Sequence, residues 1–215
     1  MKSFIFDLDG VIVDTAKYHY LAWKNLANEL GFEFTESQNE LLKGVSRVRS
    51  LEILLDIGNI ELSEDKKQTL LKEKNEEYLE YVKKMTSDEI LPGIDQLLNY
   101  LEENNIKFAL GSASKNAVLI LKKVGLFDKF NAIVDGNDVS KAKPDPEVFI
   151  NAAIKLNQVY SNCIVIEDAL AGVHAANNAG MTSVGIGDKN ILNEANYNLE
   201  STNELTIHFI KKLIA

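Results

Sequence analysis

Cysteine is almost missing from this chain: among 215 residues there is one, Cys163. A lone thiol excludes an intrachain disulfide, and its position in an apolar run fits a buried, inert side chain in a reducing compartment. Long apolar runs are missing too. No stretch approaches the roughly 20 apolar residues needed to cross a bilayer. The short run at the N-terminus is broken by Asp7 and Asp9, too short and too charged for a secretory signal. A cytoplasmic protein with no membrane partner is expected. Positive charge is in deficit, with 23 Lys and Arg against 32 Asp and Glu and a formal net charge of −9. That balance disfavours nucleic acid and anionic lipid as partners, because both would be repelled. It leaves phosphorylated small molecules open, since a few local cations and a metal make one pocket attractive on an acidic protein.

What is present is ordinary in bulk, with 46% hydrophobic and 26% charged residues, and long enough for a core that carries an insertion. Four short apolar runs stand out: Ser3–Phe6, Lys107–Leu110, Ala132–Val134 and Cys163–Ile166, with a fifth at Ser183–Ile186. None alternates, which suits strands buried on both faces of a parallel sheet. Each ends in a polar or glycine-containing turn and is followed by helical periodicity, so an α/β fold with a doubly wound parallel sheet is expected. Ligands bind such sheets beyond the carboxyl ends of the strands. From about Ala16 to Met85 only helical spacing is found: Tyr18, Leu21, Ala22, Leu26 and Leu30, then Glu40–Leu55, then a highly charged stretch Lys66–Val82. The expected organisation is therefore a core of residues 1–15 and 86–215 with an α-helical cap, 16–85, inserted into it. A short strand and a helix are expected within Ser201–Ala215.

Four signals carry chemistry, each just after its own apolar run. Asp7 and Asp9 are two residues apart on extended chain, so their side chains leave the same face, and Gly10 permits a sharp turn. With a metal to offset anionic repulsion, one carboxylate can attack phosphorus while the other moves the proton. A polar strand terminus would look the same. In Gly111-Ser112-Ala113-Ser114-Lys115-Asn116 the small residues leave amides free for a phosphate, although Ser114 also suits an ordinary helix cap. In Lys141-Ala142-Lys143-Pro144-Asp145-Pro146, Asp145 and Pro146 are good helix-start chemistry, which leaves Lys143 as a held cation or a solvated one. Glu167 and Asp168 are adjacent acids that favour a cation such as magnesium, or merely the start of the next helix.

Taken in order, Asp7-Leu8-Asp9-Gly10, Ser112, Lys143-Pro144 and Glu167-Asp168 resemble the four motifs of the haloacid dehalogenase superfamily of phosphotransferases, over nearly the whole chain. Within it, Asp14-Thr15, His19 to Trp23, Gly44-Val45-Ser46-Arg47, Ser50-Leu51 and the Ser112–Asn116 loop resemble the β-phosphoglucomutase family. The resemblance implies that Asp7 is the nucleophile and Asp9 the general acid and base. One magnesium ion per chain would sit on the Asp7 carboxylate, the Asp9 main-chain carbonyl and Asp168, with Glu167 close by. Ser112, Ala113 and Lys143 would hold the transferring phosphate. Arg47, Ser114, Lys115 and Asn116 would grip a distal one. Thr15, His19, Trp23, Lys43, Gly44, Val45, Ser46 and Ser50 would line the hinge and sugar pocket.

The activity so implied is interconversion of β-D-glucose 1-phosphate and glucose 6-phosphate, primed by β-glucose 1,6-bisphosphate. Hinges at Asp14–Thr15 and Lys84–Thr86 would let the cap close and exclude water. One chain covers its own site, so a monomer suffices. Two rivals remain at this stage: a sugar-phosphate phosphatase on the same core, with water as acceptor, and a non-catalytic phosphate-binding protein. His174 and His208 lack any such context and are expected to be structural.

Overall fold

The structure is a computed structural model that describes residues 2–43 and 45–214. Gly44, one of the expected sugar contacts, lies outside the described residues. The chain opens with β1 (Ser3–Phe6) and then runs through four helices, α1 (Ala16–Glu29), α2 (Glu36–Asn39), α3 (Arg47–Gly58) and α4 (Glu64–Val82). It continues with α5 (Ile94–Glu103), β2 (Phe108–Gly111), α6 (Ala117–Val124), β3 (Ala132–Val134), α7 (Glu147–Lys155) and β4 (Cys163–Glu167). The last elements are α8 (Leu170–Asn178), β5 (Thr182–Ile186), β6 (Tyr197–Leu199) and α9 (Ile207–Ile214).

The six strands form one sheet in the order β3-β2-β1-β4-β5-β6, all parallel. From β1 the chain builds outward to β3 on one side, then returns to β4 and builds outward on the other. The reversal opens a crevice at the carboxyl ends of β1 and β4, where a doubly wound sheet binds its ligand.

Burial explains why the strand runs do not alternate. Phe4, Phe6, Phe108, Leu110, Ile164 and Ile166 face α5, α6 and α9, while Ile5, Ala109 and Val165 face α7 and α8. Both faces are covered by helices, so the middles of β1, β2 and β4 are apolar, and the polar residues Ser3 and Glu167 stand only at strand ends. The segment from α1 to α4 has an apolar cluster of its own, with Trp23, Leu26, Phe34, Leu51, Leu54, Leu55, Leu70 and Leu71.

Four local expectations are corrected. Glu40–Leu55 is not one helix: a single 3-10 turn at Glu40–Leu42 precedes a break, and Ser46 then caps α3 by accepting from the Arg49 N–H at 3.3 Å. Ser114 does not cap α6, because Asn116 occupies that position and Ser114 Oγ accepts from the Asn116 N–H. The start of α7 falls one residue later than expected, with Pro146 at the cap position and Asp145 Oδ1 accepting from the Glu147 N–H at 3.0 Å. The last strand precedes Ser201 rather than following it, since Tyr197–Leu199 reaches the sheet edge beside β5. Among the described residues no helix is long and apolar enough to cross a membrane.

Candidate active site

Asp7 follows directly on β1 and extends its ladder, its N–H donating to the Ile166 carbonyl at 2.9 Å. The chain then doubles back: the Gly10 N–H donates to the Val13 carbonyl, and Gly10 has φ +76, a conformation that favours glycine. Glycine is required there for a second reason. A Cβ on Gly10 would meet Asp168 Oδ2 at 2.1 Å. Gly172 does the same for the neighbouring acid, since a Cβ there would lie 1.6 Å from Glu167 Oε1. Both acidic side chains thus reach the crevice over bare backbone.

Asp7, Glu167 and Asp168 bring carboxylate oxygens within 4.8 Å of one another. Lys143 is inserted beside them, its Nζ 2.5 Å from Asp7 Oδ1 and 3.3 Å from Glu167 Oε1, with its side chain 1% exposed. Burial works against the ammonium, but the charges of Asp7 and then Glu167 outweigh it and hold the Lys143 pKa above its usual value. One cation does not balance this group. Burial and then Asp7 push Glu167 well above the carboxylate range, and the same two causes push Asp168 up to about 7. Asp9 is driven well above its usual value by burial, then by Asp7 and Asp168, and its Oδ1 is buried without a hydrogen-bond partner among the described residues. Hard oxygen donors at this spacing, short of positive charge, fit a divalent cation.

Ser112 and its neighbours approach from the end of β2. Ser112 N–H donates to the Val134 carbonyl and its Oγ accepts from the Ser114 N–H at 3.1 Å, which fixes the loop. Gly136, beyond β3, packs so closely that a Cβ would meet the Ala113 carbonyl at 2.3 Å. The opposite wall comes from the helical segment. Arg47 is the first residue of α3 and makes no ion pair among the described residues. Burial lowers its pKa only from a very high starting point, so the guanidinium stays charged.

A cavity of about 440 Å³ joins the two walls. Of the residues expected from sequence, it brings together Asp7, Asp9 and Asp168 with Ser112, Ala113, Ser114, Lys115 and Asn116, and with His19, Trp23, Lys43, Val45, Ser46, Arg47 and Ser50. Lys143 and Glu167 do not line it; Lys143 pairs with Asp7 and with Glu167 beside it. Thr15 is fully buried at the start of α1 and does not line the cavity. His174, away from the cavity, is paired with Glu194 at 3.0 Å.

Among the residues of this region that the sequence reading does not name, three stand out. Lys74 on α4 is 3% exposed, lines the cavity, and places Nζ 2.9 Å from His19 Nδ1 and 4.5 Å from the centre of the Trp23 ring. Tyr78, one turn on, stacks on His19 at 4.1 Å. Asn39, at the end of α2, also lines the cavity. A signal for the first two was present: Leu70, Lys74, Tyr78 and Val82 recur every fourth residue, one buried stripe on an otherwise charged helix.

Comparison with known proteins agrees with this geometry. Residues 4–186 match the haloacid dehalogenase-like hydrolase family. The chain is 43% identical over 212 residues to the β-phosphoglucomutase of Bacillus subtilis (strain 168), covering 98% of this chain and 94% of that protein. It is 31% identical over 187 residues to a phosphorylated carbohydrates phosphatase of Thermotoga maritima, covering 86% and 84%. The crystal structure of β-phosphoglucomutase from Clostridium difficile superposes with a TM-score of 0.94 at 46% identity, over 100% of this chain and 97% of that one. Relatives of this kind, together with the buried acidic cluster, indicate a divalent metal. The chain belongs to the haloacid dehalogenase-like hydrolase family and is similar, within it, to the β-phosphoglucomutases.

Proposed function

We propose that this chain is a phosphomutase, an isomerase that interconverts β-D-glucose 1-phosphate and glucose 6-phosphate through phospho-Asp7 and β-glucose 1,6-bisphosphate. The observation that carries this reading is the pairing, in one cavity, of the Asp7 and Asp9 carboxylates with a second set of anion-binding groups, Arg47 and the loop Ser114–Asn116. A hydrolase of a monophosphate needs one phosphate position. A bisphosphate intermediate that must turn around needs two.

The steps follow from the residues. A sugar hydroxyl attacks the phosphorus of phospho-Asp7, the bond from phosphorus to the Asp7 oxygen breaks, and the hydroxyl proton passes to Asp9. Asp9 is suited to carry it, because burial and then the charge of Asp7 raise its pKa well above the usual carboxylate value and favour its protonated form. After the bisphosphate has turned around, Asp7 attacks the other phosphate and Asp9 returns the proton to the leaving sugar oxygen. Lys143, Ser112 and the Ala113 amide align the transferring group and offset its charge. Magnesium, when bound by Asp7, Asp168 and the Asp9 main-chain carbonyl with Glu167 nearby, supplies the charge neutralisation that lets two anions approach. In this reading residues 16–85 form a cap that closes over 1–15 and 86–215 about Asp14–Thr15 and Lys84–Thr86. Closure excludes water from phospho-Asp7.

The reading is tested by incubating the protein with magnesium and β-glucose 1,6-bisphosphate and locating the transferred phosphoryl group by peptide mass spectrometry. It should appear on Asp7, be absent in Asp7→Asn, and be discharged by added β-glucose 1-phosphate. A phosphoryl group on another residue, or none, would overturn it.

A further inference from the structure

We propose that Asn39 reads a hydroxyl of the bound sugar: its amide oxygen accepts a hydrogen bond from one ring hydroxyl of the sugar phosphate. The proposal rests on the reading of the cavity as a sugar-phosphate site and adds a specificity residue to it. Asn39 is 7% exposed, and its Oδ1 is buried without a hydrogen-bond partner among the described residues. Only four side chains there carry such an atom, the others being Asp9, Thr15 and Tyr78. Of the four, Asp9 and Asn39 line the cavity. Asp9 has a role in moving the proton, which leaves the Asn39 oxygen as the cavity's unexplained acceptor.

Folded proteins satisfy buried amide oxygens, and the exceptions call for a ligand, a water or an ion. The chemistry of the oxygen narrows the choice. A carboxamide oxygen only accepts, and so does a phosphate dianion, so Asn39 Oδ1 cannot serve either phosphate. The nearest basic residue along the chain, Lys43, is engaged by Glu40 at 2.9 Å. A sugar phosphate offers donors only through its hydroxyls. Asn39 lines the cavity from the helical wall, four residues before Lys43.

The test is calorimetric titration, with magnesium present, of glucose 6-phosphate and its monodeoxy analogues into wild type, Asn39→Leu and Asn39→Ala. Removal of one hydrogen bond to a buried acceptor should weaken glucose 6-phosphate about tenfold or more in both variants. One monodeoxy analogue should bind wild type and variants alike, while the others keep the tenfold difference. An equal loss on every analogue, no loss, or a change confined to magnesium affinity would overturn the assignment. If Asn39→Leu melts lower than wild type, Asn39→Ala with an unchanged melting temperature decides. Wild type that fails to bind glucose 6-phosphate at all would instead remove the sugar-phosphate reading, and this inference with it.

Discussion

Lys74 Nζ lies 2.9 Å from His19 Nδ1 in the helical wall of the cavity. An ammonium can only donate, so while Lys74 is charged His19 accepts at Nδ1 and carries its proton on Nε2. Burial, and then the charges of Lys74 and Arg47, hold His19 well below its usual pKa, so the imidazole stays neutral. Burial and then Arg47 bring Lys74 down to about 7, so its charge changes in the neutral range. The KM for a sugar phosphate should therefore rise with pH through about 7, as a cation facing the anionic ligand is lost. In Lys74→Met the rise should flatten. Stability runs in the opposite sense. The unfolded chain binds the extra proton between about 7 and the ordinary 10.5, so wild type should gain stability with pH across that window and Lys74→Met should not.

Lys143 separates two carboxylates that would otherwise share a buried site without a cation. Lys143→Met should lose about 3–5 kcal/mol, the usual cost of breaking a buried ion pair from one side. Denaturant titration measures it, and magnesium should restore part of the loss. Phosphoryl transfer should fall at the same time, whatever the stability, because the cation beside the nucleophile is gone.

Metal and acidity are linked through Asp168. Its folded pKa of about 7 lies above the ordinary 3.8, so the metal-free protein holds an extra proton between those values. Metal-free stability from this group should be full below about pH 4 and fade as the pH rises through 7. Magnesium needs the ionised form, so its stabilising effect should grow over the same interval. Thermal unfolding with magnesium and with a chelator, from acid to neutral pH, checks both slopes. Parallel curves would contradict a metal held by Asp168.

Much of the sheet was legible because burial on both faces leaves uninterrupted apolar runs: Ser3–Phe6 and Ala132–Val134 match their strands end to end. The acids and Ser112 were legible because they stand where those runs stop. Less was visible where spacing in the chain and closeness in space part company. Lys74 reads as one more charge in a charged helix, and only its four-residue phase with Leu70, Tyr78 and Val82 marks it as buried. Asn39 carries no periodic signal at all, because its burial depends on how α2 folds against the rest of the helical segment. Ser114 suits a helix cap by local chemistry alone. The contact of the Ser114 carbonyl with the Gly136 N–H, 3.2 Å away across the loops, pins it elsewhere.

The most direct measurement follows glucose 6-phosphate and inorganic phosphate together. The starting mixture is β-glucose 1-phosphate with magnesium and a trace of β-glucose 1,6-bisphosphate, and Asp9→Ala is run alongside wild type. Glucose 6-phosphate should form without matching phosphate release, and Asp9→Ala should lower the rate by about 10²–10⁴, the usual contribution of a positioned general acid and base. Phosphate released without glucose 6-phosphate would contradict the mutase and leave a phosphatase built on the same residues.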